Sequence, residues 1–168
     1  MDFLKHIPTT VSEGTILASF DITNPYTNIP HTLGLEAVKH WVKRHSRCIN
    51  EHFKTDFIIK ATRLVLEENT FRFDNKIYQQ KKGLAKGTKF APSYANLVIG
   101  YLEGNLYKEV GKIFDPNFKE GNVKLYLDDY FIFWDGSKED LPTFHNILNT
   151  LHPSIKLTTE KATMNYHS

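Results

Sequence analysis

The chain has a single cysteine and no long hydrophobic run, and these two shortages exclude several classes of protein. Cys48 is the only cysteine among 168 residues, so an internal disulfide framework is excluded and a reducing compartment is expected. No apolar run approaches the roughly 20 residues that cross a bilayer, and the first residues lack the long apolar region of a signal peptide. The eight histidines do not form paired Cys/His ligand spacings, which excludes a structural zinc site.

The chain also has little net charge, but its cations are unevenly distributed. The net charge is only +2, and the 40% hydrophobic, 13% aromatic and 24% charged residues are typical of one globular domain, predicted here to cover residues 1–168. A basic run after Asn75 contains no acid, and a second basic run occupies residues 39–47. Each run either follows a phosphate backbone or forms a solvated face, and both interpretations stay open. The lysines of the first run are Lys76, Lys81, Lys82, Lys86 and Lys89.

The most informative segment is residues 123–134, where two adjacent carboxylates interrupt an apolar, aromatic run. Two strand-forming stretches around a short polar pair predict a β-hairpin with Asp128 and Asp129 at or near its turn. Because aspartate is common in turns, this segment taken alone favours a plain turn over a metal site. A third carboxylate, Asp21, follows the predicted strand 15–20. Three carboxylates at strand ends are the ligands that a two-Mg²⁺ phosphoryl-transfer site requires.

The rest of the chain alternates between helical and strand patterns without repeats or linkers. The predicted order is β-α-α-ββ-α-ββ-α-β, an α+β architecture in which an antiparallel sheet carries helices on one face. The first hairpin is predicted to turn at Asp74 and Asn75, and a capping box at Ser137 and Asp140 is expected to open the last helix. The second helix is predicted over residues 50–68, with an apolar stripe expected in the core: Phe53, Phe57, Ala61, Leu64 and Val65.

Three motifs, in order along the chain, resemble the palm of a reverse transcriptase. Residues 21–30 resemble its first catalytic-carboxylate motif, residues 87–97 the loop and helix under the templating base, and residues 126–129 its second catalytic motif. The Tyr-Thr-Asn-Ile-Pro end of the first motif is most similar to Penelope-like retroelements, which are relatives of telomerase. The resemblance implies a reverse transcriptase palm with partial fingers, in which a ferredoxin-like antiparallel sheet carries helices on one face.

The same resemblance implies an RNA-directed DNA polymerase that adds dNTPs to a primer 3′-hydroxyl on an RNA or DNA template. Its cofactors would be two Mg²⁺ ions, which Mn²⁺ can replace. The expected ligands are Asp21, Asp128, Asp129 and the backbone carbonyl of Ile22. The three aspartates would also be the catalytic carboxylates, with Asp21 and Asp128 bridging both ions.

Further site residues follow from the resemblance. Tyr26 matches the aromatic residue that rejects a ribose 2′-hydroxyl, with a packed hairpin aromatic as the alternative, and the amide of Asn24 would contact the triphosphate. Gly87 carries no side chain and would let the backbone approach the nascent base pair. Lys161 is expected to protonate the departing pyrophosphate; Lys156 is a competing candidate, and a plain solvated lysine is the alternative. The remaining expected substrate-binding residues are Lys86, Ala91, Pro92 and Tyr126.

Several features depart from the family pattern. Pro25 stands where the family has a residue with a backbone N–H, so this donor to the triphosphate is missing. Lys86 stands where methionine is usual, and it could either bind phosphate or obstruct the template pocket. Most of the fingers, a thumb and a GIY-YIG endonuclease are not recognised, so a fragment, a decayed copy or a domesticated remnant is expected.

Two other functions stay open on the sequence. A non-catalytic palm remnant could act as a nucleic-acid or protein interaction module, which Pro25 and Lys86 favour. An unrelated ferredoxin-like binding domain would require all three motifs to coincide by chance. Asp21, Asp128 and Asp129 favour the polymerase, because clustered carboxylates without a cation are costly. No membrane partner is expected, and nuclear action is implied only by the retroelement resemblance.

Overall fold

A computed structural model describes residues 9–85, 87–113, 123–126 and 129–160 of the chain. The chain divides into two compact units, one running to Thr23 and resuming at Gly104, the other Asn24–Glu103. No helix in the described ranges is long and apolar enough to cross a membrane.

The described strands are β1 (Ile16–Ile22), β2 (Thr70–Phe73), β3 (Lys76–Gln79), β4 (Val123–Tyr126), β5 (Asp129–Trp134) and β6 (Leu157–Glu160). The described helices are α1 (Pro25–Asn28), α2 (His31–Arg44), α3 (Thr55–Glu67), α4 (Ala91–Ile113) and α5 (Leu141–Thr150), with 3₁₀ turns at Ser46–Cys48 and Lys138–Asp140.

The first unit is built on a four-stranded sheet in the order β4-β5-β1-β6. All three pairings are antiparallel, and the register of β1 with β5 places Asp21 opposite Asp129. One face of this sheet is covered by α5, whose Phe144 ring lies 6.1 Å from Phe20 and 5.2 Å from Trp134. Aromatic rings at such distances contribute packing energy beyond their buried area. The sheet and its covering helix confirm the predicted α+β architecture.

In the second unit, α2 packs against residues of α4 through two specific contacts. The indole Nε1–H of Trp41 donates a hydrogen bond to the Leu97 carbonyl at 2.8 Å. Gly34 lies so close to Tyr94 that a Cβ at position 34 would sit 1.6 Å from the Tyr94 hydroxyl oxygen. The Tyr94 side chain is buried, and its hydroxyl has no hydrogen-bond partner within the part of the chain that the structure describes. The glycine therefore makes room for a ring whose polar end is desolvated.

The turn chemistry of the sequence is confirmed at the first hairpin and modified at the last helix. Asp74 and Asn75 both adopt left-handed backbone conformations, with φ of 47° and 57°, as a two-residue type I′ turn requires. The Ser137 hydroxyl donates to the Asp140 carboxylate at 2.8 Å, and its oxygen accepts no capping hydrogen bond from a backbone amide of the described residues. The expected capping box is therefore absent there, and a 3₁₀ turn precedes α5.

The expectation for the second helix was wrong in one respect. The helix begins at Thr55, and the residues of α3 that are buried are Thr62 and Leu66. α3 packs against α2, and these two buried residues, one turn apart, lie on one face of α3. The neighbouring apolar stripe that was expected in the core is exposed instead: Phe53, Phe57, Ala61, Leu64 and Val65.

Substituting Gly34 by alanine is expected to destabilise the protein by about 1–3 kcal/mol, because the new methyl group would displace the Tyr94 ring from a packed position. Gly104 is the matched control: it lies in α4, and a Cβ there meets nothing within 4 Å. Gly104→Ala should raise stability by about 0.5–1 kcal/mol, the ordinary gain for a helical glycine. Urea unfolding measures both changes, and equal effects of the two substitutions would contradict the close approach.

Burial raises the pKa of Tyr94 from 10.0 to about 12. The unfolded chain gives up this proton at a lower pH than the folded chain. The contribution of Tyr94 ionisation to the free energy of unfolding is therefore complete below pH 10 and is lost as the pH rises towards 12. The slope contributed by this group is up to about 1.4 kcal/mol per pH unit. We expect Tyr94→Phe to lose this slope and, near neutral pH, to gain about 1 kcal/mol by removing an unpaired hydroxyl.

Urea unfolding from about pH 9 to 12 tests this prediction, since the unfolded and folded pKa values of 10.0 and about 12 set that window. Tyr78→Phe is the matched control, because the Tyr78 ring is exposed. If Tyr94→Phe and the wild type lose stability in parallel as the pH rises, the desolvated hydroxyl is not a source of the pH dependence.

Candidate active site

Two of the three predicted carboxylate residues face each other across neighbouring strands. Asp21 lies near the end of β1, directly opposite Asp129 at the start of β5, and both are half-buried. Side chains of directly opposed residues lie on the same face of a sheet, with Cβ atoms about 4.5–5.5 Å apart. Two like charges in this position cost free energy, which a bound cation would recover.

The pleat of the sheet sets the face on which these carboxylates lie. Phe20 and Ile22, the two neighbours of Asp21, are buried, and Phe20 contacts Phe144 of α5. Because successive residues of a strand alternate between faces, Asp21 lies on the face away from α5. The register partner of Phe20 is Tyr130, which is also buried, so Asp129 shares the face of Asp21.

The other predicted site residues considered next lie at this edge of the sheet or outside the described residues. Ile22 ends β1, and the next amide, of Thr23, donates to the Lys156 carbonyl at 2.8 Å, which ties this strand end to the chain that enters β6. Tyr126 ends β4 opposite Asp129. Asp128 lies outside the described residues, and across the ranges that are described no group of three or more His, Cys, Asp or Glu side chains could hold a metal ion.

Of the two candidate lysines, the structure describes only Lys156. Lys161 lies outside the described residues. Lys156 is exposed, and its ammonium group donates to the Asn149 carbonyl at 3.0 Å in the last turn of α5. A cation at this position satisfies a carbonyl that the helix leaves unpaired. The contact supports a structural role for Lys156, and the role of Lys161 stays a prediction.

The segment that follows Asp21 belongs to the second unit and is held by backbone contacts. Asn24 adopts the left-handed conformation, with φ of 47°, and precedes the short helix α1, whose first residue, Pro25, is buried. Tyr26 is half-buried, and its carbonyl accepts a hydrogen bond from the Leu84 amide at 2.6 Å. The backbone around the predicted ribose-sensing residue is therefore held in place, while the role of its ring stays a prediction.

Gly83 has a packing role that none of the sequence motifs indicates. Its φ is +66°, and a Cβ there would lie 2.3 Å from the Tyr26 carbonyl oxygen. Its amide donates to the Ile29 carbonyl at 3.0 Å, and its carbonyl lies 2.9 Å from Nε2 of His31. A side chain at position 83 would therefore separate this loop from α1. The contact of His31 with this loop could not be predicted from the sequence either, because a single histidine after a proline belongs to no recognised motif.

The residues predicted to lie under the templating base are divided between loop and helix. Gly87 is exposed, with φ of +95°, and a Cβ added there would meet nothing within 4 Å, so its backbone conformation is what requires glycine. Ala91 begins α4 and is buried, and Pro92 lies in the first helical turn, where a proline is well tolerated. Lys86 lies outside the described residues. The predicted substrate contacts of these residues stay predictions.

Among solved structures, the chain is similar to apo telomerase from Candida tropicalis truncated from its C-terminal domain, with a TM-score of 0.60 at 14% sequence identity. The match covers 88% of this chain and 31% of that telomerase chain, so the protein spans less than a third of the telomerase length. At this identity the likeness concerns the fold, and it supports a palm-like α+β domain. No curated protein matches the chain in sequence.

The sequence model of one protein family matches almost the whole chain. Its description is "Reverse transcriptase (RNA-dependent DNA polymerase)", and the match covers residues 4–164. All three motifs and the strands that carry Asp21 and Asp129 fall inside this range. The chain therefore belongs to the family of reverse transcriptases, the RNA-dependent DNA polymerases.

Proposed function

We propose that this chain is the palm of an RNA-directed DNA polymerase of Penelope-like type, which extends a primer by nucleotidyl transfer. The observation that supports the proposal most directly is the strand register that sets Asp21 opposite Asp129. Opposed carboxylates on the sheet face away from α5 supply oxygen ligands from two neighbouring strands, which suit a divalent cation. Family membership supplies the reaction class.

The donors present fit Mg²⁺, which prefers carboxylate and carbonyl oxygens. We propose that Asp21, Asp128 and Asp129, together with the Ile22 carbonyl, hold two Mg²⁺ ions, and that Mn²⁺ can replace them. When bound, the metal would lower the pKa of the primer 3′-hydroxyl and neutralise charge on the pyrophosphate. The protein contributes rigidity, because Asp21 and Asp129 lie on paired strands and lose little freedom on binding.

Substrate contacts are proposed on the same family pattern. The Asn24 amide would meet the triphosphate, and the Tyr26 ring would exclude a ribose 2′-hydroxyl. Gly87 would let the backbone approach the nascent base pair, since no side chain intervenes. Lys161 would donate a proton to the departing pyrophosphate. The partners are then dNTPs and a primer on an RNA or DNA template, and the proposed place of action is the nucleus.

The alternative is a non-catalytic palm that binds nucleic acid or protein. One observation favours it: Pro25 is buried at the first position of α1, where the family pattern uses a backbone amide. The two functions differ in their need for a metal, so metal binding separates them before any polymerase activity is measured.

Mn²⁺ added to the ¹⁵N-labelled chain is expected to broaden the amide signals around Asp21 and Asp129 before others. Asp21→Asn removes one carboxylate with little change in size and should weaken Mn²⁺ binding by at least about tenfold. Asp128→Ala should have the same effect. Asp56→Asn is the matched control, since this exposed carboxylate lies in the first turn of α3.

Titration of the broadening against Mn²⁺ concentration measures these affinities. Equal broadening in the wild type and Asp21→Asn, or none up to millimolar metal, would contradict the metal site. The non-catalytic interaction module would then be the better description of the protein.

Pro25→Leu is expected to tighten dNTP binding in the presence of Mg²⁺, because it restores an amide N–H at the position of the expected triphosphate contact. One hydrogen bond to a charged group is worth about 1.5–3 kcal/mol, or roughly 10- to 100-fold in Kd. Pro142→Leu is the matched control, since Pro142 also lies in the first turn of a helix. Calorimetric titration with dATP measures both variants, and an unchanged Kd for Pro25→Leu would refute the idea.

A further inference from the structure

The β2–β3 hairpin is exposed at every residue of both strands, although it carries several large apolar side chains. The exposed fractions are 52% for Phe71, 68% for Phe73, 78% for Ile77 and 42% for Tyr78. Singly exposed apolar residues are ordinary on a protein surface, but a contiguous set marks a binding surface. Three of these side chains, those of Phe71, Phe73 and Tyr78, lie on one face of the hairpin and form a contiguous set, whereas Ile77 lies on the other face.

Three of the aromatic rings share one face of this hairpin. Phe71 is paired with Tyr78 and Phe73 with Lys76, and opposed residues of an antiparallel pair lie on the same face. The Phe71 and Tyr78 rings are stacked, with centroids 5.6 Å apart and planes 19° from parallel. Phe71, Phe73, Tyr78 and Lys76 are called the aromatic platform below. The platform presents flat π surfaces beside a cation.

Within residues 70–82 the charges are of one sign except at the turn. Lys76 lies on the platform itself, and the exposed Lys81 and Lys82 follow β3 directly. Arg72 lies on the opposite face of the hairpin and donates to the Asn75 side chain at 2.7 Å. Asp74 is the only acid among residues 70–82. The surface therefore combines exposed aromatic rings with positive charge.

This combination distinguishes a nucleic-acid partner from a protein partner. The centres of protein–protein interfaces are depleted in charged residues, lysine among them. Surfaces that bind single-stranded nucleic acid pair aromatic rings, on which bases stack, with cations that meet the phosphates. Lys76 lies among the rings of the platform and not at a distance from them, which favours the nucleic-acid partner.

The hairpin is held rigidly enough to act as a preformed surface. Its type I′ turn fixes the strand register at Asp74 and Asn75. At the other end, the Gln79 side chain donates to the Glu67 carbonyl of α3 at 2.6 Å, and the Gln80 amide donates to the Asn69 carbonyl at 2.8 Å. A surface that is already ordered loses little conformational entropy when a ligand binds.

We infer that the aromatic platform binds unpaired nucleotides of a nucleic-acid strand by base stacking, with Lys76, Lys81 and Lys82 contacting the phosphates. None of the residues proposed for nucleotidyl transfer takes part. The binding requires neither a divalent metal nor a dNTP, so it can be tested apart from polymerase activity.

Fluorescence anisotropy with the full chain and labelled oligonucleotides of about 12 nucleotides tests the inference in the absence of divalent metal. The probes are oligouridylate, oligothymidylate and a duplex of the same length. We expect tighter binding of at least one single strand than of the duplex. Phe71→Ala and Tyr78→Ala should each weaken that binding by about tenfold, and Tyr78→Phe, which keeps the ring, should retain it. A duplex that binds as tightly as both single strands would overturn the inference.

The chain offers a matched control for these substitutions. Phe53 and Phe57 form another exposed ring pair in the same unit, with centroids 6.0 Å apart. Phe53→Ala and Phe57→Ala should leave oligonucleotide binding unchanged. If they weaken binding as much as the platform substitutions do, stacking on the platform is not the cause, and the inference fails.

Three further readouts keep the test independent of variant folding and of the metal site. An oligonucleotide that contains 5-iodouridine should cross-link the unmodified chain within residues 71–78, and cross-links only elsewhere would overturn the inference. Asp21→Asn should leave oligonucleotide binding unchanged, so a defective metal site and a defective platform are seen in different variants. If the platform substitutions abolish self-association in sedimentation but leave oligonucleotide binding intact, the face joins copies of the chain and the inference is wrong.

Discussion

The hydrogen-bonded register between β1 and β5 is the constraint on which the candidate active site depends. A slip of one residue would move Asp21 to the buried face and expose Phe20 and Ile22. Each buried apolar side chain contributes about 1.5–3 kcal/mol, whereas a like-charge pair opposed across two strands costs about 0.2–1 kcal/mol. The apolar residues that pack towards α5 therefore set the register, and the repulsion between Asp21 and Asp129 is too small to shift it. A cation in the proposed metal site would remove that remaining cost, so sheet packing and the proposed metal binding favour the same arrangement.

A second constraint operates in the other unit, where one backbone segment lies against another without room for a side chain. Gly83 meets the Tyr26 carbonyl, and the Leu84 amide bonds to it, so the loop that precedes Gly87 is fixed on α1. Gly34 and Tyr94 form a comparable close approach between two helices. In both cases a glycine allows the close approach. Around Gly83 the nearby backbone groups form hydrogen bonds, whereas the Tyr94 hydroxyl is desolvated.

Local signals predicted much of this fold because they are properties of single elements. The turn at Asp74 and Asn75 and the strand that leads to Asp21 each follow from the residue types of a few neighbouring positions. The exposed stripe on α3 could not be predicted in this way. Helical spacing does not tell whether Leu64 or Leu66 will be buried, and tertiary packing decides between them. The same limit applies to Gly83, because a glycine in a loop does not indicate which backbone it will meet.

The sequence by itself determined the order of the elements, the carboxylates available to a metal, and the family to which the three motifs belong. These features depend on residue type and on spacing within one segment, which the linear chain contains in full. The tertiary structure decided that Asp21 and Asp129 are opposed on the face away from α5. It also decided that the aromatic residues of the β2–β3 hairpin remain exposed. Which residues face each other across strands, and which are buried, depends on contacts between segments that are distant in the chain. The same local sequence pattern is compatible with many such contacts, so only tertiary packing selects among them.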